Sequence, residues 1–331
     1  MKNSEGRRLI TAGALIVAVW AVITLLMVTG IMPRSFQSLT IKICYYVILT
    51  LSLDLIVGYL GDLSLGHAAF YAVGGYVGCG AAIWLGDGVP LVIRFIVALI
   101  VGGIAAAIIG FLISSAIIKL KGDYLAIVTL AFGEFVRSFV KIIPGFGGTK
   151  GLNGIPSFTS KTTGFTAAYV VMVIVIAIIY NFTHSRQGRV VTAIRDNAIA
   201  AASVGINIRQ NKILVFTLAS LMAGLAGVIF GFYKSTLVPS DFTYNLSIEV
   251  LVMVVLGGMG SIKGSIIASV IIVALPEVLR GAADYRMLIY AVALIAMMML
   301  NASPKFKAFK EAVTNRVEKL GRTLKKGDAA K

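Results

Sequence analysis

Residues 164–183 read GFTAAYVVMVIVIAIIYNFT, twenty positions without one charged side chain. A helix rises about 1.5 Å per residue, so roughly 20 apolar residues cross the ~30 Å hydrocarbon core of a bilayer. Residues 212–235 form another run of that length. Between the two lies SRQGRVVTAIRDNAIAAASVGINIRQNK (185–212), charged and alanine-rich. It reads as a helical segment held outside the lipid.

Outward from this region the same alternation continues. The chain of 331 residues is 58% hydrophobic and 13% charged. Breaks at Gly, Pro and charge clusters divide it into about ten spans, near 9–31, 39–60, 67–86, 89–118, 123–142, 164–183, 212–235, 246–259, 264–280 and 286–301. The expected fold is an all-α polytopic membrane protein with glycine-broken helices and eight to ten crossings. MKNSEGRR and the apolar stretch after it resemble a signal peptide. The stretch is too long for one and no A-x-A-like site follows, so it reads as an uncleaved first span. Cys44 and Cys79 fall inside apolar runs, which leaves no disulfide framework and no Cys/His metal spacing.

The net charge of +16 is explained by where it sits. With the N-terminus in the cytoplasm, 20 of the 30 Lys and Arg fall on the inner side, in 1–8, 119–121, 185–212, at Lys263 and after 301. Seven fall outside: Arg34, Lys141, Lys150, Lys161, Lys234, Arg280 and Arg286. This bias fits an even number of crossings with both termini cytoplasmic. Nucleic acid has no supporting motif.

Two segments interrupt the pattern. GYLGDLSLGHAAF (58–70) and GGMGSIKGS (257–265) are glycine-broken and read as re-entrant or unwound helix, tolerated only where protein or a water-filled cavity covers the backbone. Small residues recur every four positions at Gly74, Gly78 and Ala82, at Gly102, Ala106 and Gly110, and at Ala219, Ala223, Gly227 and Gly231. Such stripes bring helix backbones close, inside one bundle or against a partner subunit.

The chain has no phosphate-binding loop of the G-x-x-x-x-G-K-[ST] type, no G-x-S-x-G and no H-E-x-x-H. If ATP drives it, another chain is the ATPase. Ionisable groups in or beside spans are Asp54, Glu134, Arg137 and Glu249, each costly in lipid unless paired or hydrated. Glu134 and Arg137 are three apart and can pair, either to orient their helix or near a translocation path. Asp54 and Glu249 lack a local partner and read as path groups or as helix-terminal residues facing water. His67, after the break at Gly66, reads as a cap or hydrogen-bond partner of the neighbouring half-helix or as a proton relay. The outer loop PGFGGTKGLNGIPSF (144–158), with Gly147, Gly148, Gly151 and Gly154, suits docking or gating, or a plain connection.

Within 185–212, Val190, Val191, Ile194, Ala198, Ala201 and Ala202 recur at helical spacing, and Gly205 marks a C-terminal stop. The spacing predicts one short amphipathic helix that rests on the membrane or docks a partner. The segment after residue 301 carries nine basic residues around Phe306, Phe309, Val313, Val317, Leu320 and Leu324, a pattern suited to the anionic inner leaflet. The domain reading is a single transmembrane domain over 1–301, then a basic amphipathic cytoplasmic tail over 302–331.

Five pieces, in order, give the chain a family resemblance: VGYLGDLSLGHAAFYAVGGY (57–76), LKGDYLAIVTLAFGEFVRSFV (120–140), GGTKGLNGIP (147–156), GRVVTAIRDNAIAAASVGINI (188–208) and SIEVLVMVVLGGMGSIKGSIIAS (247–269). The chain resembles the LivM-like permeases of bacterial and archaeal ABC importers for branched-chain amino acids. The resemblance implies a cell-membrane (inner-membrane) permease that is not itself an enzyme and holds no cofactor, ATP being bound by partner subunits. It implies a second related permease, two cytoplasmic ATPases and an extracytoplasmic solute-binding protein. In that reading 185–212 is the coupling segment, with Arg189, Ile194, Arg195, Asp196, Ala200 and Gly205 facing the ATPase. Asp54 and Asp62 stand where the family usually has Asn and Gln, which puts the solute in doubt, since the family also handles urea, amides and other amino acids. The competing reading is an ion-coupled secondary transporter using Asp54, Glu134 and Glu249; a channel comes third.

Overall fold

The computed structural model describes residues 16–30, 32–120, 122–158 and 160–279, and beyond these only 292 and 295. The first expected span in part, the last one, Arg280, Arg286 and the basic tail lie outside the described residues. Two compact units divide the chain, Met1–Glu277 and Val278–Lys331. The expected domain boundary at 301 also falls outside the described residues.

Apolar length builds the helices. They are α1 (Ile16–Val28), α2 (Arg34–Asp54), α3 (His67–Trp84), α4 (Leu91–Ile117), α5 (Asp123–Ile142), α6 (Lys161–His184), α7 (Arg186–Asp196), α8 (Ala198–Ser203), α9 (Ile208–Lys234), α10 (Tyr244–Gly257) and α11 (Ile262–Val278). A wide π-turn segment, Leu55–Leu60, prolongs α2. Among the described residues the only β pairing is an isolated bridge between Leu152 and Leu237. The all-α expectation holds. Among the described residues four helices are long and apolar enough to cross a membrane: Arg34–Leu60, Leu91–Ile117, Lys161–His184 and Ile208–Lys234. By contrast α10 has 14 residues, a rise of about 21 Å, short of a full crossing.

The small-residue stripes pack against one another. α3, α4 and α9 form the densest part of the bundle. Gly74 lies against Gly224, Gly78 against Gly102 and Gly110 against Ser220. A methyl group on Gly227 would strike the Tyr71 carbonyl and the Gly75 amide. Ala82, Ala106, Ala219 and Ala223 are fully buried in the same seams. Lipid offers no hydrophobic drive between helices, so close van der Waals contact of these small surfaces holds them together. α2 packs on the other side, against α6, α9 and α10.

The connections sort to two ends. Lys161 Nζ bonds to the Arg34 carbonyl at 3.0 Å, and Leu152 pairs with Leu237, which gathers the segments before α2, after α5 and after α9 at one end, the loop end. Lys212 bonds to Asp62, and Arg195 to Gly58, which gathers both the first glycine break and 185–212 at the other, the hairpin end.

Candidate functional site

The two glycine breaks meet. Asp54, 1% exposed at the end of α2, accepts the Gly260 N–H at 2.8 Å through Oδ1 and the Ser265 hydroxyl at 3.2 Å through Oδ2. Gly58 lies so close that a Cβ there would fall on the Asp54 carboxylate and the Gly260 backbone. Gly61 then turns the chain at φ 82°, a region a side chain strongly disfavours. Asp54 thus lies inside the continuous helix Arg34–Leu60, where α2 passes into the π-turn segment, and faces protein; the reading of a helix-terminal residue facing water does not hold. Its carboxylate satisfies donors that the second break would otherwise leave bare.

Segment 185–212 closes over this junction. The Arg195 guanidinium donates from Nη1 to the Gly58 carbonyl at 2.9 Å, and from Nε and Nη2 to Asp196 Oδ1 at 3.1 and 2.9 Å. The Gly58 carbonyl belongs to the last turn before Gly61 and has no helical partner, so a guanidinium is a strong substitute. One turn further on, Asp62 and Lys212 form an ion pair at 2.5 Å with side chains 12% and 10% exposed. Three polar ties thus fasten the first break to α11, α7 and α9.

The segment forms two helices where spacing predicts one. Asn197 leaves helical geometry and accepts the Ile199 and Ala200 N–H groups at 3.1 and 3.0 Å, which ends α7 and starts α8. Gly205 supplies the expected stop: its N–H bonds to Ala202 and the Ile206 N–H to Ala201. The apolar stripe needs a correction. Val191 and Ile194 are buried because α7 lies across the π-turn segment, α6 and α9 and spends that face on its own bundle, and Ala201 of α8 is buried too. Ile194 is an anchor within the chain. Facing outward are Arg189, Asp196, Ala200, Ala202 and Gly205, with Ile199 83% and Val204 75% exposed.

The other candidates lie apart from the junction. His67 Nε2 is hydrogen-bonded to Ser52 Oγ at 2.7 Å, and Ser52 Oγ also lies 2.8 Å from the Leu49 carbonyl, so the imidazole ties α3 to α2. Glu134 pairs with Arg137 at 2.5 Å, and its Oε1 accepts the Tyr244 N–H at 3.3 Å, at the start of α10. A carboxylate at a helix N-terminus complements the dipole there, so the pair positions α10. Glu249 sits mid-helix in α10, half-buried, with its Oε2 3.5 Å from the Tyr46 hydroxyl. In the outer loop Gly147, Gly148, Gly151 and Gly154 all have positive φ. Gly151 cannot be replaced cheaply, since a Cβ would meet the Leu237 carbonyl. The loop is folded down at Leu152 and Ile155, both buried. Among the described residues no group of three or more His, Cys, Asp or Glu could hold a metal ion.

Residues 35–302 match a family model described as "Branched-chain amino acid transport system / permease component". The chain belongs to this permease family. It is 32% identical over 285 residues to the high-affinity branched-chain amino acid transport system permease protein LivM of Escherichia coli K12, covering 77% of this chain and 66% of that protein. It is 27% identical over 257 residues to a probable LivM of Methanocaldococcus jannaschii, covering 66% and 74%. Ribose import permease protein RbsC of Escherichia coli K12 is 29% identical over 145 residues, covering 41% and 45%.

For this permease the two carboxylates that depart from the family pattern are spoken for: Asp54 binds the second break and Asp62 binds Lys212. Sequence reading missed Lys212 as a partner and Asn197 as a cap. The Asp196-Asn197 pair before an alanine run was the available signal for the cap.

Proposed function

We propose that this chain is one membrane subunit of an ATP-driven importer of branched-chain amino acids. Separate subunits bind and hydrolyse ATP, a second related permease completes the pathway, and an extracytoplasmic binding protein delivers solute at the loop end. The hairpin end, with Arg186, Arg189, Arg195, Arg209 and Lys212, is cytoplasmic by the positive-inside rule. The membrane is a bacterial or archaeal cell membrane.

The observation that carries the reading is the Arg195–Gly58 hydrogen bond, which joins an exposed hairpin to the junction of both broken segments. Ile199, Ala200 and Val204 present a small apolar knob to a groove on the ATPase. Movement of that knob reaches the bundle through buried Val191 and Ile194 and through Arg195. The breaks, which lack a continuous helical hydrogen-bond ladder, yield first, and the spans rock between outward and inward openings. The ion-coupled alternative is less well supported, because Asp54 and Glu134 are engaged in bonds within the bundle.

Leucine uptake into proteoliposomes tests the reading. The expected result is uptake only with ATPases, binding protein and ATP present. Uptake by the purified chain alone under a sodium or proton gradient would overturn it. Ile199→Cys adds a check of orientation, since native Cys44 and Cys79 are buried. A membrane-impermeant maleimide should label it only from the cytoplasmic face, and bound ATPase should block the label.

A further inference from the structure

We propose that this chain itself holds an apolar α-amino acid, in a cavity of ≈ 410 Å³ between the outer half of α2, the end of α9 and the start of α10. The inference deepens the importer reading and rests on it for the identity of the solute.

A lysine inside an apolar span is costly unless its charge is met. Lys42 lies eight residues into α2, half-buried, and lines this cavity with no hydrogen-bond or ion-pair partner among the described residues. Beside it, the Tyr45 and Tyr71 hydroxyls border the same space and also have no hydrogen-bond partner among those residues. Lys234 and Asp241 line the space as well but are paired with each other, so Lys42, Tyr45 and Tyr71 supply the donors a bound carboxylate needs.

The remaining walls suit the rest of an amino acid. Tyr45, Tyr71 and Phe230 form an aromatic cluster, with ring centroids 5.5 Å apart for Tyr45–Phe230 and for Tyr71–Phe230. Such a surface takes a branched aliphatic side chain by contact area and faces an ammonium favourably. Lys234 lies over Phe230 at 5.6 Å and is neutralised by Asp241 at 2.5 Å. That leaves Lys42, among the described residues, as the cavity-lining cation with no ion-pair partner; Glu249, outside the lining, stands behind it with Oε2 3.5 Å from the cavity-lining Tyr46 hydroxyl. Lys42 in the wall for the carboxylate, and the aromatic faces with Glu249 behind Tyr46 for the ammonium, complement a zwitterion. The volume falls within the range of about 300–1,000 Å³ typical of small-molecule sites.

Radiolabelled L-leucine is titrated onto the purified permease–ATPase complex without binding protein. The expected result is saturable binding that weakens at least tenfold in Lys42→Gln and in Tyr45→Phe and returns in Lys42→Arg. Isoleucine and valine should displace it, whereas 4-methylpentanoate and 3-methylbutylamine, each lacking one charge, should not. Absence of saturable binding of leucine, isoleucine or valine overturns the proposal, and so does wild-type binding by Lys42→Gln. ATP-dependent uptake by the same complex, reconstituted into liposomes with the binding protein added, separates the two readings. Wild-type uptake by Lys42→Gln sinks the cavity and leaves the importer. Lys42-dependent binding without any ATP-driven uptake sinks the importer and leaves the cavity.

Discussion

Arg195 on the exposed hairpin and Gly58 in the first broken helix, 137 positions apart, are joined by a 2.9 Å hydrogen bond from guanidinium to carbonyl. The same guanidinium is paired with Asp196, but that pair is 36% and 64% exposed and stabilises little. Of the bonds this guanidinium makes, the one to Gly58 reaches the bundle.

Replacing Arg195 with Ala removes that link and leaves the Gly58 carbonyl without a donor. The loss of a charged hydrogen bond is worth about 1.5–3 kcal/mol, less here because the arginine is partly exposed. Uptake by the reconstituted importer should fall on the order of tenfold while its basal ATP hydrolysis persists, a split that Asp196→Ala should show more weakly. Equal losses in both activities would assign Arg195 to assembly.

Asp54→Ala strips two donors, the Gly260 N–H and the Ser265 hydroxyl, of their acceptor. A buried donor left bare costs about 1–3 kcal/mol, so the detergent-solubilised protein should melt well below wild type. Asn at this position keeps an acceptor and should lose less; Ser265→Ala, which removes one donor with its bond, less again. Calorimetry or dye-based melting orders the three variants.

Lys212→Ala leaves the nearly buried Asp62 carboxylate unpaired, which typically costs about 3–5 kcal/mol. The double variant Asp62→Asn with Lys212→Met removes both charges and should recover most of the loss. A double-mutant cycle on melting temperature measures the coupling, and additive effects would show that the pair contributes nothing.

Gly227→Ala and Gly80→Ala differ only in what surrounds them. At Gly227 the new methyl strikes the Tyr71 carbonyl, and the α3–α9 seam must open at a cost of about 1–3 kcal/mol. At Gly80 only the edge of Phe146 is near, at 3.8 Å, and Ala should be neutral or favourable by about 0.5–1 kcal/mol through helix propensity. Yield of folded protein and melting temperature should separate them.

Much of this was readable in one dimension. The run 164–183 lies within the helix Lys161–His184, and 89–118 contains Leu91–Ile117, because hydrocarbon thickness sets span length and backbone hydrogen bonding forces a helix. The stripe Gly74, Gly78, Ala82 marked a helix seam for a similarly local reason, and Gly205 marked a helix stop. The reading of 185–212 went wrong at two points: Asn197 splits the helix, and Ile194 turns inward.

Sequence alone determined that this is an all-α membrane protein, where its apolar helices run and where its glycines interrupt them, since each follows from a few neighbouring residues meeting lipid or water. Only the tertiary structure decided that Asp54 serves Gly260, 206 positions away, that Arg195 serves Gly58, and that Lys42 faces a cavity. Those partners depend on how helices distant in the chain pack side by side, and no period or spacing within one helix encodes which backbone groups another helix will leave bare.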